Sequence, residues 1–182
     1  MKSFDRYLRD VRIARARPYV RKGDVVLDVG CADGIMFREW AGVISHGIGV
    51  DPILTEVEKT DAYELYPGLF PQDLPPGVKC DMITMLAVLE HIQPEEQAKL
   101  ADICHAMLNA GGRIVITVPS PRVDDILHLL DKLHLIDGMS MHEHYGFEPG
   151  HTPGIFPAPR FKLAVRKKFQ FGLNNLFVFE KA

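Results

Sequence analysis

The sequence predicts a single α/β domain built on a mostly parallel sheet. An apolar run at Val25–Val29 breaks at a glycine loop, residues 30–34, and the amphipathic segment IMFREW follows. A strand, a glycine loop and a helix in this order deliver backbone N–H groups to a ligand at the carboxyl edge of a parallel sheet. Two further apolar runs, within 80–92 and at 113–119, flank a clear helical pattern. Strands that alternate with helices are typical of such a sheet.

The length and composition fit one folded domain. With 182 residues the chain is long enough for one sizeable core and too short for two ordinary domains, so we assign residues 1–182 to a single domain. Hydrophobic residues at 47% and charged residues at 25% are values of a folded soluble protein. The net charge of −3 gives no general attraction to nucleic acid or to an anionic membrane, and we expect neither as a partner.

The cysteines and the apolar runs bear on the compartment. No run approaches the roughly 20 residues of a membrane span, and the start, MKSFDRYLRD, has no signal-peptide core. Cys31, Cys80 and Cys104 are odd in number and form no C-x-x-C pair. Neither a disulfide framework nor a cysteine zinc site is expected, and a reducing cytoplasm fits best.

Residues 4–17 predict an amphipathic helix. Apolar residues recur at helical spacing from Phe4 to Ala14, and Pro18 marks the end. Five arginines occupy other positions of this segment: Arg6, Arg9, Arg12, Arg15 and Arg17. They form either a solvated helix face or a contact with an anionic substrate, and the pattern favours the solvated face.

Asp28 stands at the end of the first predicted strand and faces the glycine loop. A carboxylate there repels a pyrophosphate but suits a ligand with a cationic amino group. The spacing also departs from the G-x-G-x-x-G/A pattern of dinucleotide-binding proteins, because with Gly30 first, Ala32 and Ile35 take the second and third positions. A phosphate cradle is therefore the weaker interpretation.

A second acid ends the next predicted strand. After a helix over about 34–42, HGIGVD at 46–51 ends in Asp51, which follows Gly30 by 21 residues. An acid about 20 residues past such a loop is placed to accept hydrogen bonds from ribose hydroxyls. The alternative is a turn aspartate before Pro52.

The segment 53–79 is rich in proline and glycine, which leaves room for little more than one short strand near Leu69. Within FPQDLP at 70–75, Asp73 is a candidate ligand contact, and its alternative is a loop aspartate in solvent. The run 80–92, CDMITMLAVLEHI, then predicts a strand buried on both faces. Its carboxyl end lies beside the first strand, and His91 just beyond it either contacts substrate or anchors its loop.

The next helix begins near Pro94 and carries an apolar stripe that includes Cys104, which we assign to the core. Gly111 and Gly112 end it. RIVITVP at 113–119 is a further strand, and Ser120 with Pro121 resembles the start of another helix. The last segment, 167–181, alternates apolar and polar residues around a turn, which predicts an antiparallel hairpin.

The segment 136–159 is a long stretch of glycine, proline and histidine attached to the carboxyl end of a strand. Such a stretch in a compact domain is usually functional or disordered. Its attachment to the carboxyl end of a strand favours function, and we predict a substrate lid. MHEHYGF places His142, His144 and Tyr145 within four residues, and a histidine titrates close enough to neutrality to take a proton from an acceptor. A metal site formed with His151, or a purely structural role, is the alternative.

VLDVGCADG resembles motif I of the class I S-adenosylmethionine (SAM) methyltransferases, in which an apolar strand leads into Asp or Glu, any residue, Gly and a closing Gly. Three further stretches resemble the family in order: GIGVDP at 47–52, CDMITMLAVLEHI at 80–92 and GGRIVITVPSP at 111–121. The resemblance covers about residues 23–121. Ala32 stands where the family more often has Gly, and we expect a slightly tighter loop.

The resemblance implies a Rossmann-like sheet of order 3-2-1-4-5-7-6 with the last strand antiparallel, an abbreviated third strand and helix, and SAM as cofactor. It also implies that Asp73 or its neighbouring backbone contacts the adenine amino group. The donor-binding residues that it implies surround the glycine loop and the strand ends: Asp28, Gly30, Cys31, Ala32, Asp33, Gly34, Asp51, Pro52, Asp73, Leu74, Met85, Leu86 and Ala87.

The implied activity is methyl transfer to a small or medium-sized acceptor, with O-methylation slightly favoured. A hydroxyl or protonated amine needs a base, for which His142, His144 and Tyr145 are the catalytic candidates. The alternatives are a nicotinamide-dependent oxidoreductase and a SAM-binding module without turnover. The expected partner is a small-molecule substrate.

Overall fold

An eight-stranded sheet runs through the computed structural model, which describes residues 3–120 and 147–182. Its strands are β1 (Val25–Val29), β2 (His46–Asp51), β3 (Glu58–Lys59), β4 (Tyr63–Pro67), β5 (Cys80–Leu86), β6 (Leu108–Pro119), β7 (Phe161–Phe169) and β8 (Asn174–Lys181). The described helices are α1 (Ser3–Ala16), α2 (Ile35–Glu39), α3 (Pro94–Met107) and α4 (Thr152–Ile155). Short 3-10 turns lie at Arg17–Tyr19, Leu89–His91, Pro149–His151 and Gln170–Gly172.

The strands lie in the order β3-β4-β2-β1-β5-β6-β8-β7. Neighbours from β4 to β6 pair in parallel, and β8 pairs antiparallel with both β6 and β7. Without the two-residue β3, this is the order 3-2-1-4-5-7-6 and confirms the predicted topology. Because parallel strands end at one edge, the glycine loop after β1 and the segments after β2, β4 and β5 meet there.

The third parallel strand lies earlier than predicted. It covers Tyr63–Pro67 rather than the neighbourhood of Leu69, and a short antiparallel partner, Glu58–Lys59, precedes it. Tyr63 and Leu65 alternate into the core, and Gly68 ends the strand with a φ of 126°. The following segment to β5 contains turns and no helix, as the resemblance implied.

Each face of the sheet carries its own core. Leu27 and Ile83 face a cluster that includes Leu100 and Cys104 of α3, and Val26 and Met82 face the cluster under α1. Both strands are therefore buried on both faces, as predicted for the run from Cys80. The predicted core position of Cys104 is confirmed by its complete burial.

A buried ion pair joins the segment just before β1 to β6. The guanidinium of Arg113 on β6 contacts the Asp24 carboxylate, and both side chains are almost completely enclosed. Arg113 also donates from Nε to the Tyr19 carbonyl and from Nη1 to the Asp81 carbonyl, at 3.4 Å. Burial lowers the pKa of Arg113, and the hydrogen bond that its guanidinium donates to Asp24 opposes this shift. The pair holds the turn after α1 against β6.

The C-terminal hairpin is formed by β7 and β8, as predicted. In the described part of the predicted lid, Phe156 is buried, with its ring 5.7 Å from that of Phe161 and 5.1 Å from that of Phe179. This part therefore packs on the core. The helix predicted after Ser120 and the lid residues before 147 lie outside the described residues. None of the described helices is long and apolar enough to cross a membrane.

Candidate functional site

The glycine loop after β1 lies at the carboxyl edge of the sheet. Gly30 has a φ of 78°, and a Cβ atom there would lie 2.4 Å from Cγ2 of Val88, so no other residue fits without a shift. The Gly30 N–H donates to the Val50 carbonyl at 2.9 Å, which ties the loop to β2. Gly34, with a φ of 70°, closes the loop and precedes α2.

Gly30 lines two cavities at once. The larger, of about 250 Å³, lies between the loop after β4 and α3. Its walls are mainly apolar and include Val29, Val50, Pro52, Leu69, Phe70 and Val88. Side chains of Gln72, His91, Glu96 and Lys99 add polar groups to the lining. A mostly apolar cavity with a few polar groups is the usual form of a small-molecule site.

The smaller cavity, of about 70 Å³, lies on the opposite side of Gly30, under α1. It is lined by charged groups of both signs, Asp28 from β1 and Arg9 and Arg12 from α1, together with loop residues Cys31 and Ala32. Leu86 at the end of β5 completes the wall. The two cavities together offer one apolar and one charged compartment on either side of the loop.

Asp28 is a buried carboxyl group in the charged cavity. Thr84 donates its hydroxyl to Oδ1 of Asp28 at 2.6 Å. Burial raises the pKa of Asp28 from an ordinary 3.8 to about 7, the Thr84 hydrogen bond opposes the rise, and the charge of Asp51 adds to it. A cationic group bound in this cavity would favour the ionised carboxylate.

Arg12 points inward from α1. Its Nε is fully enclosed and has no hydrogen-bond partner among the described residues. Burial lowers the pKa of Arg12, and the charge of Glu90 opposes this shift. Arg9, one turn earlier, instead pairs with Asp10 at 2.9 Å and lies 4.0 Å from Asp33. The favoured solvated-face interpretation therefore does not hold for Arg12, because α1 turns this position toward the cavity.

Asp51 fixes the shape of the glycine loop from the end of β2. Its Oδ2 accepts a hydrogen bond from the Ala32 N–H at 2.8 Å, and its Oδ1 accepts one from the Ile53 N–H at 2.9 Å. Ala32 has a φ of 47°, in the left-handed region that favours glycine. Each carboxylate oxygen keeps a further lone pair for a ligand hydroxyl.

Several other predicted donor residues line neither cavity. Asp33 is exposed and lies 3.4 Å from Arg38. Asp73 is exposed as well, and its Oδ2 accepts a hydrogen bond from the Leu69 N–H at 2.7 Å. Met85 is completely buried in the core and Leu74 packs against it. Ala87 turns the chain with a φ of 61° and donates its N–H to the Thr117 carbonyl at 2.8 Å. Gly34 shapes the loop without lining either cavity.

The structure also brings in residues that the sequence analysis did not select. Val88 closes over Gly30, and Thr84 bonds Asp28. Thr84 is two residues before the end of β5, and strand alternation alone could have placed it on the face of Asp28. Arg12 could have been singled out only by knowing which face of α1 meets the sheet.

The candidate catalytic residues His142, His144 and Tyr145 lie outside the described residues. His151 is described, in the turn Pro149–His151. Across 3–120 and 147–182, no three His, Cys, Asp or Glu side chains are grouped so as to hold a metal ion. The catalytic and metal interpretations of these histidines stay predictions.

The chain is similar in sequence to known methyltransferases. The model of a family described as a methyltransferase domain matches residues 1–165. A ubiquinone biosynthesis O-methyltransferase from Paraburkholderia phytofirmans is 25% identical over 114 residues, which cover 58% of this chain and 48% of that protein. The chain therefore spans about half the length of this curated relative.

Two solved structures share the fold. The PH0226 protein from Pyrococcus horikoshii OT3 has a TM-score of 0.73 at 13% identity, over 100% of this chain and 93% of that one. Magnesium protoporphyrin IX methyltransferase from Synechocystis PCC 6803, solved with bound S-adenosylhomocysteine, has a TM-score of 0.64 at 16% identity, over 97% and 83%. The family model covers most of the chain and agrees with the sheet order and the glycine loop, so the chain belongs to the class I SAM-dependent methyltransferases, whose methyl donor is SAM.

Proposed function

We propose that this domain transfers the methyl group of SAM to a small or medium-sized acceptor at the carboxyl edge of the sheet. One observation carries the proposal: Gly30 separates an apolar cavity from a charged one. SAM has the same two parts, an adenosine and a zwitterionic amino acid, and it supplies a methyl group already activated on a cationic sulfur. Much of the catalysis can then come from alignment of the acceptor.

The residues around Gly30 suit the donor in a specific orientation. The larger cavity takes the adenosine, with Asp51 and Pro52 beside the ribose. In the smaller cavity Asp28 accepts hydrogen bonds from the ammonium group, and Arg12 donates to the carboxylate. A dinucleotide would instead bring a pyrophosphate against the Asp28 carboxyl group, which gives the oxidoreductase alternative weaker support.

Calorimetric titration separates these two ligands. We expect SAM and S-adenosylhomocysteine to bind and NAD to give no heat of binding. Binding of NAD without binding of SAM would contradict the proposal. Turnover of labelled SAM against a metabolite extract then distinguishes an enzyme from a SAM-binding module and identifies the methylated atom.

Replacement of Arg12 by Gln is expected to weaken SAM binding about tenfold or more, because a charge-assisted hydrogen bond contributes about 1.5–3 kcal/mol. The matched control is Arg6→Gln on the same helix, where the side chain is exposed and lines neither cavity. The dissociation constant of SAM, measured by titration for both variants, checks the prediction. Equal losses of SAM affinity in the two variants would show that Arg12 has no specific role in SAM binding.

Replacement of Asp51 by Ala is expected to lower the SAM binding free energy by about 1.5–3 kcal/mol, through loss of charge-assisted bonds to the ribose hydroxyls. The variant also frees the Ala32 N–H from its partner. Asp61→Ala, at an exposed position away from both cavities, is the control. Unchanged affinity in the Asp51 variant would refute the ribose assignment.

The acceptor is proposed more coarsely. We favour a small molecule methylated on oxygen, and the similar ubiquinone biosynthesis O-methyltransferase is named for that reaction. A hydroxyl acceptor must release its proton, so a base at the acceptor side is part of the proposal. The three described cysteines are free and buried, which agrees with a reducing, cytoplasmic setting.

His142 and His144 are the proposed bases. We expect single replacements by Asn to lower methyl transfer by about 10²-fold or more while SAM affinity stays intact, which is the range of general base catalysis. Transfer is measured with and without a chelator, because sensitivity to the chelator would indicate the metal alternative. Normal turnover in both variants would exclude the two histidines as catalysts.

A further inference from the structure

Strand β7 concentrates positive charge at one edge of the sheet. Residues 149–179 contain five Lys or Arg residues and no Asp or Glu, although the whole chain has a net charge of −3. Three of the five, Arg166, Lys167 and Lys168, are consecutive and exposed. A run of like charge on an edge strand indicates either a binding partner of opposite charge or protection of the edge against aggregation.

These three cations project alternately from the two faces of the sheet. Phe169 belongs to the core cluster under α1, so Lys167, two residues before it, lies on the α1 face. Arg166 lies over the ring of Phe177 at 5.5 Å, on the opposite face, and Lys168 shares that face. A flat anionic surface contacts one face of a sheet, whereas a strand added in the plane presents side chains to both.

The outer edge of β7 has no paired strand within 3–120 and 147–182. Strand β8 covers only the inner edge, along the register from Phe161 to Phe169. Six of the nine residues of β7 are exposed. An edge of this length presents a row of backbone N–H and C=O groups that can pair with another strand.

A second copy of the same strand does not suit this edge. Antiparallel pairing of two copies about Lys167, beyond the register shift at Ala164, sets Arg166 opposite Lys168 and Lys167 opposite its own copy. Like charges directly opposite one another destabilise a strand pair. The same geometry favours a strand that carries acids at these positions.

An exposed aromatic residue stands at the end of β7. Phe171 is completely exposed, at 108% of its reference area. Both Gln170 and Phe171 have left-handed backbone, with φ of 49° and 56°. The turn is held there, because Asn174 donates its Nδ2 to Oε1 of Gln170 at 2.6 Å and Ser120 donates its hydroxyl to the Gly172 carbonyl at 2.6 Å. The held turn presents the ring to a partner beside the edge.

We propose that β7 binds an extended, acidic segment of a partner protein, which adds a strand to the outer edge of the sheet. Three consecutive acidic residues of that segment lie opposite Arg166, Lys167 and Lys168 and alternate between the faces as these cations do. Backbone hydrogen bonds supply the affinity, and the charges select the partner. An apolar residue beyond the acids packs on Phe171.

The test uses a nine-residue peptide with three consecutive glutamates flanked by threonine and valine. We expect this peptide to bind the full chain, measured by fluorescence anisotropy. The same peptide with N-methyl groups on alternate residues keeps its charge but cannot pair along one edge, and we expect its affinity to fall tenfold or more. A peptide with lysines in place of the glutamates is expected not to bind.

A variant pair locates the binding surface. Lys167→Gln/Lys168→Gln is expected to weaken peptide binding about tenfold, through loss of two of the three cross-strand charge pairs. The matched control removes two exposed cations elsewhere, Arg6→Gln/Lys22→Gln, and is expected to bind as the unmodified chain does. Circular dichroism of all variants shows that the fold is kept.

Each other outcome overturns the proposal. Equal binding of the N-methylated peptide would leave only nonspecific charge attraction. Binding of phosphatidylserine vesicles or of oligouridine, without the peptide, would assign the edge to a membrane or to nucleic acid. Binding of none of these probes would leave the cations as a guard against edge-to-edge aggregation.

Discussion

Replacement of Asp24 by Ala is expected to lower the free energy of unfolding by about 3–5 kcal/mol, because it leaves the buried Arg113 guanidinium without its counter-charge. Both side chains of this pair are almost fully enclosed. The loss also frees the Arg21 N–H, which donates to Oδ2 of Asp24 at 2.6 Å. Urea unfolding followed by circular dichroism measures the change, and the urea dependence should stay constant.

Two further variants separate the charge from the packing. Asp102→Ala breaks an exposed pair with Arg160, and we expect it to cost at most about 1 kcal/mol. The double variant Asp24→Ala/Arg113→Met also removes the unpaired buried charge of Arg113. It should therefore recover part of the free energy of unfolding that Asp24→Ala loses. A similarly small effect for Asp24→Ala and Asp102→Ala would show that the pair of Asp24 with Arg113 is solvated.

The affinity for SAM is expected to fall by up to about tenfold for each pH unit below about 7. Burial raises the pKa of Asp28 to about 7, and the ammonium group of SAM favours the ionised carboxylate. Binding below that pH therefore releases a proton, and affinity rises with pH until the carboxyl group is already ionised. Titration of SAM between pH 5 and 7, in buffers of different ionisation enthalpy, measures the SAM affinity and the number of protons released on binding.

The matched variant is Asp28→Asn, which resembles the protonated carboxyl group at every pH. Its SAM affinity should be independent of pH over this range and close to the affinity of the unmodified chain at low pH. The free energy of unfolding changes with pH in the opposite direction to the SAM affinity. Because the folded state holds the proton more tightly, the free energy of unfolding contributed by Asp28 falls as pH rises from about 4 to 7, and the Asn variant lacks this slope. A persistent pH dependence in the variant would assign the titration to another group.

The parallel sheet and the first half of the site followed from local signals in the sequence, whereas the strand order followed from the resemblance to the methyltransferases. The apolar strand, Asp28 and the glycine loop fix where a parallel sheet opens, and the acid-ended second strand places Asp51 at the same edge. The third strand was misplaced because proline and glycine after Tyr66 masked the short alternation of Tyr63 and Leu65. Where a strand begins and ends near proline and glycine depends on its pairing with a neighbouring strand. The sequence of the strand segment alone does not contain that information.

The roles of individual side chains depended on tertiary packing. Asp73 was selected because FPQDLP sits where the family carries an acid beside the adenine. Its carboxylate accepts the Leu69 N–H and does not itself line the larger cavity, so the adenine contact stays a prediction. Arg12 looked like one of five equivalent arginines, and only the orientation of α1 on the sheet distinguishes it. Helical spacing assigns residues to faces, but it does not say which partner each face meets.

The hydrogen bond between Ala32 and Asp51 determines whether the glycine loop becomes ordered during folding or on ligand binding. A contact within the protein, the hydrogen bond from the Ala32 N–H to Oδ2 of Asp51, holds the loop in its left-handed conformation at Ala32. The loop therefore loses its conformational entropy during folding rather than on ligand binding. The binding site is preorganised in this respect. The Ala32 amide should accordingly exchange its hydrogen slowly with deuterated solvent before any donor is added, and donor association should not wait for loop ordering.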